Sequence, residues 1–155
     1  MNPIQIDIHD VLLLGRFGES QLGTTRSEIF ASLGPPDNYS SEAPQEMAEI
    51  WKYGNMEFYF QNHQIYQIFS DADDIFKSNS RIKYSKDQFT KFDQDEFESF
   101  YTKNSIKYEI RADKYDNDIS NLHLPDKHIK LSFRISNACL IDSFSISIFN
   151  ENPGF

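Results

Sequence analysis

The sequence contains one cysteine, six glycines and no long apolar run. The single cysteine, Cys139, excludes a disulfide within the chain, and the apolar residues after it predict a buried side chain. Six glycines leave little material for phosphate-binding loops, and the P-loop, GxGxxG and GxSxG motifs are absent. Near the N-terminus the longest apolar run, VLLL, is too short for a membrane span or a signal peptide, and no positively charged segment precedes it. These absences predict a cytoplasmic protein.

Aromatic residues are abundant, with 14 Phe, 8 Tyr and 1 Trp among 155 residues. Together with a hydrophobic fraction of 39%, they supply enough bulk for a packed interior. The sequence therefore predicts a folded domain and not a disordered chain.

Charge is unevenly distributed along the chain. Residues 1–78 carry 12 acidic and 4 basic side chains, whereas residues 79–155 carry 12 acidic and 11 basic ones. An acidic surface repels nucleic acid and anionic membranes and attracts basic proteins. The charge therefore argues against nucleic acid and membranes as partners. An alternative explanation is that the acidity serves only to keep the protein soluble.

A short helix is predicted at residues 25–33. Thr25 and Glu28 match the capping box, in which each side chain bonds the other residue's backbone amide. Ile29 and Leu33 fall on one face of this helix, and Gly34 followed by two prolines ends it.

Three strands are predicted after this helix, in the segments IWKY, MEFYFQ and QIYQIFS. The dipeptides GN and NH separate them and suit tight hairpin turns. In the second segment Met56, Phe58 and Phe60 alternate with more polar residues, as in a strand with one buried face.

The same order of elements is predicted in the second half. Asp93 and Glu96 repeat the cap pattern before an aromatic helix face. Strand patterns follow in residues 106–112, 128–135 and 140–149, with residues 113–127 as a polar insert.

We therefore predict an α+β fold made of two helix-plus-meander halves, residues 1–78 and residues 79–155, that form one continuous globular unit. The two meanders are expected to join into one antiparallel sheet with the helices packed on one face. A helix as short as residues 25–33 needs this packing because it is unstable alone.

The segment LGTTRSEIFASLGPPDNY, followed by IWKYGNMEFYF, resembles the SmpA/OmlA lipoproteins of the outer-membrane assembly machinery over roughly residues 20–70. In that family a G-x-[ST]-x-x-x-[VI]-x-x-x-[LF]-G-x-P segment precedes strands that carry W-x-Y. The matching residues are Gly23, Thr25, Ile29, Leu33, Gly34, Pro36, Trp51 and Tyr53. The β-lactamase inhibitor proteins share this fold and carry it twice in tandem. The pattern also resembles small bacterial proteins, some of them encoded near toxin genes.

The resemblance implies a non-catalytic protein that acts by binding other proteins. The lipid-bearing cysteine of the lipoproteins has no counterpart here, since Cys139 is far from the N-terminus. A place in the outer-membrane machinery is therefore not implied.

Candidate catalytic or metal-binding residues are few. His123, Asp126 and His128 could offer a metal two imidazoles and a carboxylate, but the spacing crosses a proline. Two acidic segments, SDADD and DKYDND, lack the glycine and distal glutamate of an EF-hand loop and are typical of solvated loops. We therefore predict neither a cofactor nor an enzyme.

The predicted function is stoichiometric binding of a basic protein, as in an immunity or antitoxin-like inhibitor that covers the active-site region of a toxin such as a nuclease. Aromatic rings supply contact area and carboxylates attract a basic partner. The predicted binding residues are Tyr39, Tyr53, Tyr59, Tyr66, Glu42, Glu46, Glu49 and Glu57, while Trp51 is assigned to the core. Two alternatives remain open: a scaffold or chaperone-like adaptor without a toxin, and a small-ligand binder or enzyme with a groove between the halves.

Overall fold

The computed structural model describes residues 2–40, 42–85 and 89–151. Within these ranges there are two α-helices, α1 (Arg26–Leu33) and α2 (Gln94–Lys103). The strands are β1 (Ile4–Asp7), β2 (Asn38–Tyr39), β3 (Ile50–Tyr53), β4 (Met56–Gln61), β5 (Gln64–Ser70), β6 (Ile82–Ser85), β7 (Glu109–Ala112), β8 (Ile119–Leu124), β9 (Ile129–Arg134) and β10 (Leu140–Ser147). A π-helical turn spans Asp10–Leu14, and short 3-10 turns include Gln45–Met47 and Ile148–Glu151.

Eight strands form one open antiparallel sheet in the order β2-β3-β4-β5-β10-β9-β8-β7. The first four belong to the first half of the chain and the last four to the second half. The halves are joined where β5 pairs with β10. A separate parallel pair links β1 to β6. The fold is α+β, as predicted.

Both helices pack on the same face of the sheet. One row of buried side chains crosses this face through paired positions, namely Trp51, Phe58, Ile68, Ile146, Ile129 and Leu124. Ile29 of α1 belongs to the same hydrophobic cluster, and Phe97 of α2 lies 5.7 Å from Phe133 of β9 between ring centroids. The core therefore lies between the sheet and a single layer of helices.

The capping box predicted for α1 is present. The Thr25 hydroxyl accepts a hydrogen bond from the Glu28 amide over 3.3 Å, and the Glu28 carboxylate accepts one from the Thr25 amide over 2.8 Å. Gly34 follows the helix with a φ of 79°, which favours glycine. In α2 the Asp93 carboxylate likewise accepts a hydrogen bond from the Glu96 amide.

Each helix is attached to its own half of the sheet in the same way. Thr25, which caps α1, forms an isolated antiparallel bridge with Gln64, the first residue of β5. Asp93, which caps α2, forms such a bridge with Leu140, the first residue of β10. The two halves thus repeat both the order of their elements and the contact that positions the helix.

The turns before these last strands are also equivalent. Asn62 and His63 precede β5 with positive φ angles, and Ala138 and Cys139 precede β10 with positive φ angles. Cys139 is therefore a half-exposed turn residue, and the prediction that it is buried is wrong.

The second half contains two strands more than predicted, β6 and β8. β8 lies inside residues 113–127, which the sequence pattern assigned to a polar insert, and β7 covers only the end of the strand predicted at residues 106–112. The outward-facing side chains of β8 include Asn121 and His123, which are as polar as the residues that precede the strand. The sequence therefore shows no clear change from polar to apolar residues where β8 begins.

The segment of residues 71–81 is rich in charged and polar side chains, but part of it is in the core. Ile75 and Phe76 are buried, and the Phe76 ring lies 4.8 Å from Phe144 of β10. The segment that connects the halves therefore also contributes to the core.

Candidate protein-binding surface

The sheet face opposite the helices carries a cluster of aromatic side chains. Tyr59 of β4 lies 6.1 Å from Tyr66 and 6.4 Å from Phe69 of β5, measured between ring centroids. Phe149 extends the cluster, with its ring 5.9 Å from Tyr66. We call these four residues the aromatic platform. Their edge-to-face contacts hold the rings in place while leaving them partly accessible to solvent.

Phe149 reaches the platform from the second half of the chain. It lies in the 3-10 turn Ile148–Glu151, which folds back over the end of β10. The Asn150 side-chain amide holds this turn by donating to the backbone oxygens of His128 (2.8 Å) and Ser145 (3.1 Å). Phe149 remains 59% exposed. Phe149 and Phe69 are not among the predicted binding residues, because strand alternation alone does not show which face the helices leave open.

Glu57 lies beside the platform and shapes its electrostatics. The Tyr59 hydroxyl donates a hydrogen bond to Glu57 Oε2 over 2.9 Å, and Lys52 Nζ lies 3.7 Å from Glu57 Oε1. Burial of the Tyr59 ring, the hydrogen bond and the negative charge of Glu57 together raise the pKa of Tyr59 to about 12. The Tyr59 hydroxyl therefore stays protonated at neutral pH.

The other predicted acidic residues lie elsewhere. Glu42, Glu46 and Glu49 are exposed in the loop that precedes β3. This loop is fixed to the helix side of the sheet: Trp51 Nε1 donates to the Gln45 carbonyl over 2.8 Å, and Arg26 Nη2 of α1 donates to the Ala48 carbonyl over 2.7 Å.

Tyr39 shares that side of the sheet. It is 40% exposed and pairs with the inward-facing Trp51. Apart from Tyr53, the predicted set is thus split into two groups, and Glu57 is the one predicted glutamate beside the platform.

Tyr53 is not a surface residue, and its prediction as a binding residue is wrong. Its side chain is fully buried, and its hydroxyl donates a hydrogen bond to the Gly34 carbonyl over 2.8 Å. Burial raises the pKa of Tyr53 well above its ordinary value. Tyr53 is two residues from Trp51 in β3 and therefore shares its face, so the assignment of Trp51 to the core already indicated that Tyr53 points inward.

A groove of about 620 Å³ lies between α1 and the loop before β3, within the first half. Phe30 and Trp51 form its apolar lining, and Glu46 and Arg26 form part of its polar rim. Arg26 is held over the Phe60 ring, 4.4 Å from the centroid, and donates to His63 Nδ1 over 2.9 Å. Burial lowers the pKa of the Arg26 guanidinium, an effect that the carboxylate of Glu49 partly offsets.

The acidic segment DKYDND organises its own loop. Asp113 accepts hydrogen bonds from the amides of Tyr115 and Asp116 and from the Asn121 side chain. Arg134 Nη1 lies 3.4 Å from both Asp116 and Asp118. These carboxylates already have protein partners.

Among the residues that the structure describes, no group of three or more His, Cys, Asp or Glu is arranged to hold a metal ion. In the same part of the chain, no helix is long and apolar enough to cross a membrane.

No family model matches the chain, and neither a curated protein nor a solved structure matches it. The resemblance to the SmpA/OmlA lipoproteins and the β-lactamase inhibitor proteins therefore stays a prediction. Function has to be inferred from the surface itself.

Proposed function

We propose that the protein acts by stoichiometric binding of a basic protein, as an immunity or antitoxin-like inhibitor, and that the aromatic platform is its contact surface. The observation that carries the proposal is the grouping of Tyr59, Tyr66, Phe69 and Phe149 on the sheet face opposite the helices. Tyrosines and other aromatic residues are enriched at the energetic centres of protein interfaces.

The geometry suits a protein partner. Tyr59, Tyr66 and Phe69 stand on paired strands of an eight-stranded sheet, so their rings are held rigidly and lose little conformational entropy on binding. The tyrosine hydroxyls and Glu57 offer polar contacts at the edge of the apolar area. The net charge of −9 favours rapid association with a basic surface, such as that of a nuclease.

The acidic loop has a secondary role in this proposal. Glu42, Glu46 and Glu49 lie on the helix side of the sheet and do not surround the platform. They act through the long-range field, which raises the association rate without forming the contact. Cytoplasmic location, where such inhibitors meet their toxins, is part of the same proposal.

The test is co-expression with the product of the adjacent gene. The chain is expected to bind that product in a one-to-one complex and to restore growth to cells in which the product is toxic. Tyr59→Ala and Tyr66→Ala should each weaken binding about tenfold or more. Tyr115→Ala is the matched control, because Tyr115 is 83% exposed in the second half and lies outside the platform.

Two results would reject the proposal. One is that the adjacent gene product is harmless and does not bind. The other is that binding survives both platform substitutions unchanged.

A triple substitution of Glu42, Glu46 and Glu49 by lysine should slow association at low salt while leaving the dissociation rate nearly unchanged.

The groove beside α1 favours a second candidate function, that of an adaptor without a toxin. An extended apolar peptide would insert between Phe30 and Trp51. This candidate predicts several weak partners whose binding is lost in Phe30→Ala and retained in Tyr59→Ala. The platform proposal predicts the opposite pattern.

A further inference from the structure

Strand β7 is the last strand of the eight-stranded sheet in the part of the chain that the structure describes. On one side it pairs with β8, with Glu109 opposite His123 and Arg111 opposite Asn121. The Asp113 amide donates to the Ile119 carbonyl over 3.1 Å. This bond shows which residues of β7 direct their backbone N–H and C=O groups toward β8. The backbone groups of residues 109, 111 and 113 therefore face β8, and those of residues 108, 110 and 112 face outward.

We propose that β7 pairs with β7 of a second copy of this chain, in a symmetric dimer whose sheet runs continuously through both copies. An antiparallel pair of identical strands requires a two-fold axis normal to the sheet. We place that axis at Ile110. The outward backbone groups of Ile110 then meet those of Ile110 in the second copy, as a hydrogen-bonded pair requires.

The charge pattern of the strand favours this register. With Ile110 at the axis, Glu109 lies opposite Arg111 of the second copy, and Arg111 lies opposite Glu109. Where the pairing extends beyond the strand ends, Lys107 lies opposite Asp113. When two copies of the sequence KYEIRAD run antiparallel with Ile110 at the centre, each charged residue therefore lies opposite a residue of opposite charge.

The neighbouring registers have the opposite property. An axis at Glu109 places that carboxylate opposite its own copy, and Lys107 opposite Arg111. An axis at Arg111 pairs two guanidiniums and places Glu109 opposite Asp113. Like charges that lie directly opposite each other destabilise a strand pair, so charge favours the register centred on Ile110 over those centred on Glu109 and Arg111.

Ile110 gives the pairing an apolar centre. Its side chain is 42% exposed at the end of the buried row that contains Leu122, with which it pairs. Two copies of Ile110 would cover each other on the helix face, while the charged pairs form on the other face. A single strand edge makes a small contact, so the dimer should be weak and dependent on concentration.

The test uses charge exchange and sedimentation velocity over a wide range of protein concentration. The wild-type chain is expected to shift toward twice its mass of 18.1 kDa as concentration rises. Glu109→Arg and Arg111→Glu should each weaken self-association about tenfold or more, because each substitution places like charges opposite each other at two symmetric positions. The double substitution should restore it.

Mixing the two single variants provides the decisive measurement. One variant then carries two arginines and the other two glutamates at these positions, so the register centred on Ile110 predicts a heterodimer. Asp73→Arg and Lys83→Glu change the net charge equally on exposed residues outside β7 and its partner strand β8, and they should leave self-association unchanged. Circular dichroism confirms that each variant is folded. A wild-type chain that stays monomeric at millimolar concentration, or a mixture that fails to associate, would overturn the proposal.

Discussion

Phe69 and Ser145 are paired with each other across β5 and β10, and each is the sixth residue of its strand. The equivalent strands of the two halves thus meet at equivalent positions. On one side of this pair the strands follow in the order β5, β4, β3, β2, and on the other side their equivalents follow in the order β10, β9, β8, β7. An approximate two-fold axis therefore passes between Phe69 and Ser145, and a change at this seam should affect both halves.

Ile146→Ala tests this coupling. Ile146 is buried and pairs with Ile68 across the seam, so its truncation should lower the free energy of unfolding by about 2–5 kcal/mol. Trp51, the only tryptophan, lies in the first half and reports on unfolding there. Its fluorescence and the far-UV circular dichroism should give the same midpoint in urea. Ile135→Ala is the control, since Ile135 is 50% exposed. Two separated transitions would show that the halves unfold independently.

Tyr53→Phe should lower the free energy of unfolding by about 1 kcal/mol, because it removes the hydrogen bond to Gly34 and leaves that carbonyl without this donor. Tyr84→Phe is the matched control. The Tyr84 hydroxyl is buried and has no hydrogen-bond partner among the described residues, so its removal should be neutral or stabilising. Equal losses in both variants, measured by urea unfolding, would contradict this difference.

Glu96 predicts a pH dependence of stability. Burial alone would raise the pKa of Glu96, but hydrogen bonds from the amides of Thr90, Lys91 and Phe92 outweigh it and hold the pKa below its ordinary value. A carboxylate whose pKa is lower in the folded state stabilises the fold above its unfolded pKa, roughly 4.3, and this contribution is lost as the pH falls through the folded value. Glu96→Gln should therefore be less stable than wild type at pH 7.

The difference between wild type and Glu96→Gln should shrink as the pH falls below about 4.3. Urea unfolding at a series of pH values measures it. Asp95→Asn is the control, because Asp95 is exposed in the same helical turn. A difference that stays constant with pH would show that the effect of the substitution is steric.

The electrostatics of the aromatic platform can be checked by titration. Tyr59 should ionise with a pKa of about 12, and Glu57→Gln should lower that value because the adjacent negative charge is removed. The pKa should stay above that of an exposed tyrosine, since burial of the ring remains. NMR of labelled tyrosine measures each ring separately, with the exposed Tyr115 as internal reference. An unchanged pKa in Glu57→Gln would contradict the hydrogen-bonded pair.

The sequence predicted those parts of the fold whose signals are local. The capping box at Thr25 and Glu28 and the alternation in β4 depend on residues close in the chain, and both are confirmed. β8 was not predicted because two of its outward side chains, Asn121 and His123, are polar, although the fold buries Asn121. Burial of that kind depends on residues distant in sequence.

The candidate surface was harder to predict than the fold. Alternation separates Tyr59 from Phe58, but the position of the helices decides which of the two faces solvent. Phe149 joins Tyr66 only because the last turn folds back over β10, a contact that no local pattern encodes. The loop glutamates and Glu57 are close in sequence, yet the sheet separates them.

The pairing of β1 with β6 has a consequence for biosynthesis. β1 precedes the first meander in the chain, whereas its partner residues Ile82–Ser85 are synthesised only after the whole meander. Until they leave the ribosome, the backbone edge of β1 that pairs with β6 has no partner strand, so this two-stranded pair forms later than the hairpins of the first meander.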